Sequence, residues 1–203
     1  MYIPNHFRNT DLPAIENFIG QNAFAQLIST ADGLPLVSHI PIELALNKKG
    51  DKVLHGHLAR GNPQWKSFNE QPVLTVFQGP HAYISSSWYN HVNVPTWNYI
   101  AVHITGKIKL IDNDELYQSL IELVNKYETG KQSPVTVEGM AEYVRQQMKG
   151  IVGFEISIDK IEGKWKLSQN RDTDDFKNII LELEKLNEVS AGLVAAEMKK
   201  LKK

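Results

Sequence analysis

IAVHITGKIKL, residues 100–110, is the segment from which the fold of this chain can be read most directly. Every second position is apolar or glycine, and His103, Thr105, Lys107 and Lys109 lie between them. A period of two residues is typical of a β-strand with one buried face and one solvated face. The segment therefore predicts a long, half-buried strand of the kind found in antiparallel sheets.

Four further strands are predicted upstream, and most are joined by turns. Residues 23–30 and 36–46 flank Asp32-Gly33, a dipeptide that tolerates positive φ and favours a tight hairpin. Strand-like composition recurs at 53–58 and 73–77. Asn62 followed by Pro63 is typical of a helix start and predicts a short helix through Phe68. Another short helix is predicted between Thr10 and Gly20.

Downstream, helices alternate with one more strand region. Asp112 and Glu115 have the spacing of a capping box and predict a helix that ends near Gly130. A second helix is predicted at 137–148, a returning strand from Phe154 toward Leu167, and two helices in the last thirty residues with the basic end KKLKK. Strands linked mainly by turns, with helices inserted singly, predict an α+β fold: an antiparallel split β-barrel with peripheral helices.

Composition limits the class of protein. The chain has 203 residues, 42% of them hydrophobic, with 22 basic and 23 acidic side chains and no cysteine. Balanced charge provides no general attraction for nucleic acid, and the lack of cysteine removes disulfides and thiol chemistry. No apolar run is long enough to span a membrane and residues 1–18 do not resemble a secretion signal, so we expect a soluble cytoplasmic protein.

An aromatic stretch, QGPHAYISSSWYNHVNVPTWNYIAVH at 78–103, precedes and overlaps the long strand. Its tryptophans and tyrosines alternate with serine, asparagine, threonine and histidine. Aromatic faces beside placed polar groups favour a planar heteroaromatic ligand. The alternative is a loop rich in tyrosine and tryptophan that closes one end of the barrel.

The same stretch predicts an exposed apolar patch. Trp88, Tyr89, Val92, Val94 and Trp97 lie close together in one short loop, which is too much apolar surface to leave in water. A two-fold copy of the chain would cover the patch on both subunits. The alternative is that the terminal helices fold over it and the protein is a monomer.

Anion-binding residues cluster where the 53–58 strand ends. His57, Arg60 and the start of the helix at Asn62 could converge on one phosphate group. The alternative is that Arg60 pairs with a carboxylate and Asn62 only caps the helix. No glycine-rich nucleotide motif and no hydrolase motif is present.

The sequence predicts neither a metal site nor a catalytic constellation. His55 and His57 share one face of a strand, but no third ligand follows at a recognisable spacing. Isolated histidines such as His6, His81 and His91 are typical of structural or exposed positions.

Five separated motifs resemble the PaiB family, which is described as FMN-binding negative transcriptional regulators. They are MYIP at 1–4 with Phe7, HLARGNPQW at 57–65, FQGPHAYISSSWY at 77–89, VPTWNY at 94–99 and IEGKWKLSQNR at 161–171. The resemblance covers residues 1 to about 175 in the same order. Ser86 stands where proline is common in the family, and the helices after Asp174 match poorly.

This resemblance implies an FMN-binding split barrel at 1–175, with a C-terminal helical extension at 176–203 packed on it, and a homodimer with flavin near the subunit interface. It implies that His57, Arg60, Asn62 and Trp65 serve the ribityl phosphate. The residues implied to border the isoalloxazine ring are Ser38, His39, Tyr83, Ser85 and Trp97. Lys166, Gln169 and Asn170 are implied to reach the ring or the phosphate from the last strand, either in the same chain or from the second subunit of the dimer.

Three functions stay open at this point: a flavin-linked repressor, a flavin-dependent oxidoreductase, and a haem-handling protein of similar fold. A repressor that binds DNA needs a recognition surface, and the sequence has neither a helix-turn-helix signal nor a basic stripe, so DNA is implied by the family description alone. Flavin carries hydride chemistry without a dedicated protein acid or base, so whether the protein is an enzyme also stays open.

Overall fold

The computed structural model describes residues 1–201, which contain eight strands and five α-helices. The strands are β1 Arg8–Asn9, β2 Phe24–Ala31, β3 Leu34–Leu46, β4 Lys52–Ala59, β5 Asn69–Ile84, β6 Thr96–Leu110, β7 Ile151–Ser157 and β8 Lys160–Lys166. The helices are α1 Leu12–Gln21, α2 Asn113–Glu128, α3 Ala141–Gln147, α4 Thr173–Lys185 and α5 Val189–Lys200. Lys202 and Lys203 of the predicted basic end lie outside the described residues.

The chain forms two compact units. The first unit comprises Met1–Phe18, Gln78–His103 and the chain from Glu162 onward, and the second comprises Ile19–Phe77 and Ile104–Ile161. Strands β5 and β6 each pass from one unit into the other. The predicted boundary at residue 175 falls inside α4 and stays a prediction.

Strand pairing closes a barrel. The sheet order is β1-β8-β6-β5-β2-β3-β4-β7, and β7 pairs with β6 as well as with β4. Six strands therefore form a closed ring of neighbours, β5-β2-β3-β4-β7-β6, and the pairs with a resolved register, such as Leu54 with Ile156, are antiparallel. The predicted α+β fold built on an antiparallel split barrel is confirmed.

Local sequence signals account for the turns. In the β2–β3 hairpin, Asp32 and Gly33 have φ values of 51° and 77°, the two positive angles that a type I′ turn requires. Asp112 accepts a hydrogen bond from the Glu115 amide, and the Glu115 carboxylate accepts one from the Asp112 amide, so the predicted capping box is present at α2.

The barrel core is made by alternate residues of facing strands. Leu54 and Leu58 of β4 point inward and are at most 2% exposed, and Phe154 of β7 is fully buried. The Phe154 ring lies over Gly56, where a Cβ would come within 2.5 Å of a ring carbon. Glycine at this position therefore makes room for the largest side chain of the neighbouring strand.

The predicted strand at 73–77 is too short, because β5 continues to Ile84 through the beginning of the aromatic stretch. Buried positions are odd-numbered up to Phe77 but even-numbered at Ala82 and Ile84. The buried face therefore switches from odd-numbered to even-numbered residues near Gly79. A sequence pattern that requires one continuous alternation does not detect the full length of β5. Gly79 itself lies against the Phe18 ring, where a Cβ would be 2.6 Å from a ring carbon.

The predicted returning strand from Phe154 to Leu167 is two strands with different partners. Strand β7 pairs with β4 and β6, whereas β8 lies between β1 and β6 in the sheet order. The predicted 137–148 helix is also shorter: α3 is flanked by 3₁₀ turns at Glu138–Met140 and Met148–Gly150.

We predict that Gly106→Ala destabilises the protein severely. A Cβ on Gly106 would lie 1.6 Å from the Ser157 carbonyl oxygen, at the place where β6 and β7 approach each other. Because backbone cannot move aside as a side chain can, the free energy of unfolding in urea should fall by about 3 kcal/mol or more.

Gly192→Ala is the matched control, because Gly192 lies in α5 with no atom within 4 Å of an added Cβ. Alanine there should raise the free energy of unfolding by about 0.5–1 kcal/mol. Equal stabilities of the two variants would show that barrel closure does not require a glycine at 106.

Candidate functional site

An exposed group of aromatic rings lies in the first unit, where β5 and β6 carry the aromatic stretch. Trp97 is 53% exposed and Tyr83 is 46% exposed, although both belong to regular strands. Their ring centroids are 5.8 Å apart in an edge arrangement, and the His81 ring lies 6.0 Å from Trp97. The group forms an aromatic platform that a planar ligand could cover.

Lys166 brings a cation to this platform. Its ammonium donates hydrogen bonds to the Thr96 hydroxyl and to the Trp97 carbonyl oxygen. Burial, and then the charges of Lys164 and Arg171, lower the pKa of Lys166. The side chain is therefore held in place beside Trp97, with a positive charge that a polar ligand edge would stabilise.

The other predicted residues around this unit serve local turns. The Gln169 side chain accepts a hydrogen bond from the Leu167 amide and donates one to the Trp165 carbonyl, while Asn170 is exposed. Ser85 caps the 3₁₀ turn Ser86–Trp88 by accepting a hydrogen bond from the Ser87 amide. The Gln169 side chain thus stabilises the turn by which the chain leaves the sheet after β8.

The loop after this 3₁₀ turn is only partly exposed. Val92 and Val94 are solvent-exposed, but Tyr89 is only 8% exposed. Asn178 of α4 donates a hydrogen bond to the Trp88 carbonyl at 2.7 Å and so holds the start of the loop. The expectation that Tyr89 belongs to an exposed patch is therefore wrong, because α4 packs against this end of the loop.

In the second unit, a polar network surrounds Ser38. Asn62 donates to the Ser38 hydroxyl at 2.8 Å, and Ser38 donates to Gln64 at 2.5 Å. Gln64 is 2% exposed and donates in turn to Ser29 and to two backbone carbonyls. The structure thus brings together Ser38 and Asn62, which the resemblance assigned to opposite ends of the flavin, and adds Gln64, a residue that sequence analysis missed.

The 3₁₀ helix that follows β4 has few free backbone donors. Asn62 accepts a hydrogen bond from the Gln64 amide, and Pro63 has no N–H group. The predicted short helix is confirmed, at Pro63–Ser67. Its start does not offer the set of free N–H groups on which the predicted phosphate contact relied.

Arg60 lies beside two other cations. Its guanidinium donates to the Lys149 and Ile151 carbonyl oxygens at 2.8 and 2.9 Å, and the Trp65 indole donates to the Arg60 carbonyl. Arg60, Arg145 and Lys149 line a cavity of about 410 Å³ with Asn113 and Met148. None of the described residues that line this cavity is acidic, so it has the charge of an anion site.

His57 lines a different cavity of about 190 Å³, between β4 and α2, with Glu43 and Lys126 among its lining residues. Burial lowers the pKa of His57, so its ring is uncharged at neutral pH. His57 and Arg60 thus line different cavities, and their convergence on one anion stays a prediction. His57 could donate a hydrogen bond to a ligand but would not supply charge.

His55 contacts a buried carboxylate of the neighbouring strand. Its Nε2 lies 3.3 Å from a carboxylate oxygen of Glu155, which also pairs with Lys109 at 2.9 Å. Burial alone would raise the pKa of Glu155, but the hydrogen bonds from Lys109 and His55 lower it below its usual value. His55 thus makes a structural contact and, like His57, also lines the cavity between β4 and α2.

The two ends of FMN need different chemistry, and this chain has both kinds of residue. A cationic cavity around Arg60 suits a phosphate dianion, and the aromatic platform of Tyr83 and Trp97 suits an isoalloxazine ring. His39 is exposed on β3, opposite Gln26 of β2. Arg145 and Lys149 could not be found from the sequence, since neither lies in a motif.

Nothing in residues 1–201 has the length and apolar composition of a membrane-crossing helix.

Comparison with known proteins is consistent with these features. A family model described as "Putative FMN-binding domain" matches residues 1–160. "Protease synthase and sporulation protein PAI 2" of Bacillus subtilis is 44% identical over 207 residues, covering 100% of this chain and 99% of the relative.

Solved structures show the same fold at low sequence identity. The flavocytochrome Anf3 from Azotobacter vinelandii superimposes with a TM-score of 0.61 at 16% sequence identity. The matched region covers 87% of this chain and 78% of the Anf3 chain. The FAD and heme binding protein from Mycobacterium smegmatis superimposes with a TM-score of 0.59 at 17% sequence identity. The matched region covers 84% of this chain and 78% of that protein. These likenesses support the split-barrel architecture alone. The sequence match decides the family: the chain belongs to the FMN-binding PaiB family, whose cofactor is FMN.

Proposed function

We propose that this protein is a flavin-linked negative transcriptional regulator that acts as a cytoplasmic homodimer. The observation that carries the proposal is the 44% identity to the Bacillus protein over 100% of this chain and 99% of that protein, which is called a protease synthase and sporulation protein. The likeness includes α4 and α5, so it extends beyond the segment that the FMN-binding family model matches.

The phosphate of FMN is assigned to the cationic cavity of the second unit. Arg60 is oriented by two backbone carbonyls, and Arg145 and Lys149 add charge beside it. Asn62, His57 and Trp65 would contribute hydrogen bonds or contact to the ribityl chain. A charge-assisted hydrogen bond to phosphate is stronger than a neutral one, so the arginines should supply most of the affinity.

The isoalloxazine ring is assigned to the aromatic platform of the partner subunit. The partner's Tyr83 and the partner's Trp97 offer exposed ring faces, and the partner's Lys166 brings a positive charge that suits the polar edge of the ring. Ser38, His39, Ser85, Gln169 and Asn170 complete the set of residues proposed to border the flavin.

A dimer would also bury apolar surface that the single chain leaves in water. Val92 and Val94 are 103% and 70% exposed, and Trp97 adds a half-exposed indole. An apolar surface of this kind on a loop is typical of a protein interface. A two-fold axis would bury both copies in one self-complementary contact.

We predict that Arg60→Ala and Arg145→Ala weaken FMN binding much more than riboflavin binding. Riboflavin lacks the phosphate, and a charge-assisted hydrogen bond to it is worth roughly 1.5–3 kcal/mol, or about 10- to 150-fold in affinity. Arg145 is the cleaner test, because its contact is stacking on the Tyr117 ring at 4.3 Å. Replacing Arg60 would also remove its hydrogen bonds to two backbone carbonyls and could alter the fold locally. Flavin fluorescence titration gives both affinities.

Arg8→Ala is the control, since Arg8 is exposed in the first unit and donates to one backbone carbonyl. It should leave both affinities unchanged. Equal loss of FMN and riboflavin binding in Arg145→Ala would exclude this cavity as the phosphate site.

We predict a homodimer whose FMN affinity depends on protein concentration. If one subunit supplies the phosphate site and the other the ring platform, dilution below the dimer dissociation constant must release FMN. Light scattering at decreasing concentration, with flavin fluorescence on the same samples, measures both changes. Val92→Asp places a charge in the apolar contact. It should therefore raise the protein concentration at which half of the dimer has dissociated and the concentration at which half of the FMN has been released. A mass near 23 kDa, that of one chain, with FMN still bound would exclude the shared site.

The regulatory role predicts that FMN changes the affinity of the protein for DNA. A ligand shifts a regulator only through different affinities for its two states. Selection of genomic fragments from the source organism by the apo and FMN-loaded protein should enrich a small set of fragments in one state only. No enrichment in either state, together with rapid anaerobic reduction of the flavin by NADH or NADPH, would instead support the oxidoreductase.

A further inference from the structure

Three potential metal ligands meet where the loop after Trp88 contacts the start of α4. His91, Asp172 and Asp175 each offer one ligand atom, and these atoms all lie within 4.8 Å of one another. All three residues belong to the first unit. His91 is half-exposed and Asp172 is exposed, so an ion could reach the cluster from solvent.

Asp175 is the unusual member of the cluster. It is 1% exposed, and its buried Oδ2 has no hydrogen-bond partner among residues 1–201. This oxygen points toward the other two ligands, since it lies 3.3 Å from His91 Nδ1. A buried carboxylate oxygen is costly unless a hydrogen bond or a cation compensates it.

The remaining carboxylate oxygens are already positioned by backbone amides. Asp175 Oδ1 accepts a hydrogen bond from the Asn90 amide at 2.9 Å, and Asp172 Oδ1 accepts one from the Asp175 amide at 2.9 Å. Each carboxylate is thus fixed through one oxygen, which leaves the other for a cation. Hydrogen bonding that orients ligating carboxylates is a regular feature of metal sites.

We propose that His91, Asp172 and Asp175 bind a first-row divalent cation of the Zn²⁺ type. An imidazole nitrogen with two carboxylates suits such a cation, whereas Mg²⁺ and Ca²⁺ prefer oxygen ligands alone. Three protein ligands leave at least one coordination position for water or for the Asn90 side-chain oxygen, which lies 2.9 Å from His91 Nδ1.

Small side-chain movements would complete the geometry. Tetrahedral zinc with bonds of about 2.0–2.2 Å needs ligand atoms roughly 3.3–3.6 Å apart. Asp175 Oδ2 and His91 Nδ1 already satisfy this separation. The exposed carboxylate of Asp172 would move to join them, because Asp175 is held by burial and by the Asn90 amide.

Zinc at this site would fasten the loop to α4. His91 is in the loop, whereas Asp172 and Asp175 cap and begin the helix. The site therefore links bound metal to the order of the segment that carries Val92 and Val94, without using any residue proposed to bind flavin.

Zinc titration of chelator-treated, FMN-loaded protein tests the proposal, with a chromogenic chelator as competitor. One Zn²⁺ should bind per chain. Asp172→Asn should weaken binding by about 10- to 100-fold, and asparagine should still cap α4 because it caps helices as well as aspartate does. His91→Gln should weaken binding at least as much.

Asp174→Asn is the matched control, since Asp174 lies on the same helical turn and is exposed but is not in the cluster. It removes the same charge and should change zinc affinity by less than about fivefold. Cobalt gives a second readout, because a visible absorption band in wild type that His91→Gln removes identifies the imidazole ligand.

Two results would overturn the proposal: no binding at millimolar zinc, or zinc affinity that Asp172→Asn and Asp174→Asn reduce equally. Flavin fluorescence in the same samples, at protein concentrations far above the dimer dissociation constant, separates this site from the flavin site, since FMN affinity should then be the same in all three variants. Circular dichroism confirms that each variant is folded.

Discussion

Barrel closure depends on one strand, β7, that pairs on both of its edges. Its residues face β4 along seven pairs and β6 along three, so β7 closes the ring of six strands that β6 begins, while β1 and β8 extend the sheet beyond β6. The second contact requires the β6 backbone to approach β7 so closely at Gly106 that no side chain fits. A glycine in the middle of an otherwise regular alternation is therefore a requirement of topology, because a Cβ would meet the Ser157 carbonyl.

The same pairing creates the cationic cavity. In an antiparallel pair, the end of one strand lies beside the start of the other, and Ala59 at the end of β4 faces Ile151 at the start of β7. Residues just after β4 and just before β7 must then be neighbours, which brings Arg60 next to Arg145 and Lys149. Arg60 reinforces the junction by binding the carbonyl oxygens of Lys149 and Ile151.

Structural features that depend on neighbouring residues could be predicted from the sequence, whereas features that depend on contacts between distant segments could not. The Asp32-Gly33 hairpin and the helix caps depend on a few adjacent residues, so their chemistry is visible in the sequence. The Arg60 cavity depends on which strand pairs with β4, and no residue near Arg60 specifies that partner. Similarly, Asp175 looks like an ordinary acidic residue at a helix start. Only the packing of the loop on α4 shows that it is buried.

Two explanations for the aromatic loop, coverage by the terminal helices and coverage by a second subunit, apply to different parts of it. Helix α4 holds the first part, since Asn178 and Asp175 bind the backbone at Trp88 and Asn90. Val92 and Val94 follow directly and have no such cover. The part of the loop held by α4, at Trp88 and Asn90, fixes the position of Val92 and Val94 that follow it. The start of α4 at Asp175 therefore orients Val92 and Val94 without contacting them. A cation at that helix start would therefore act on the proposed interface through the backbone of the loop, over the one to three residues from His91 to Val92 and Val94, rather than through any contact with the second subunit.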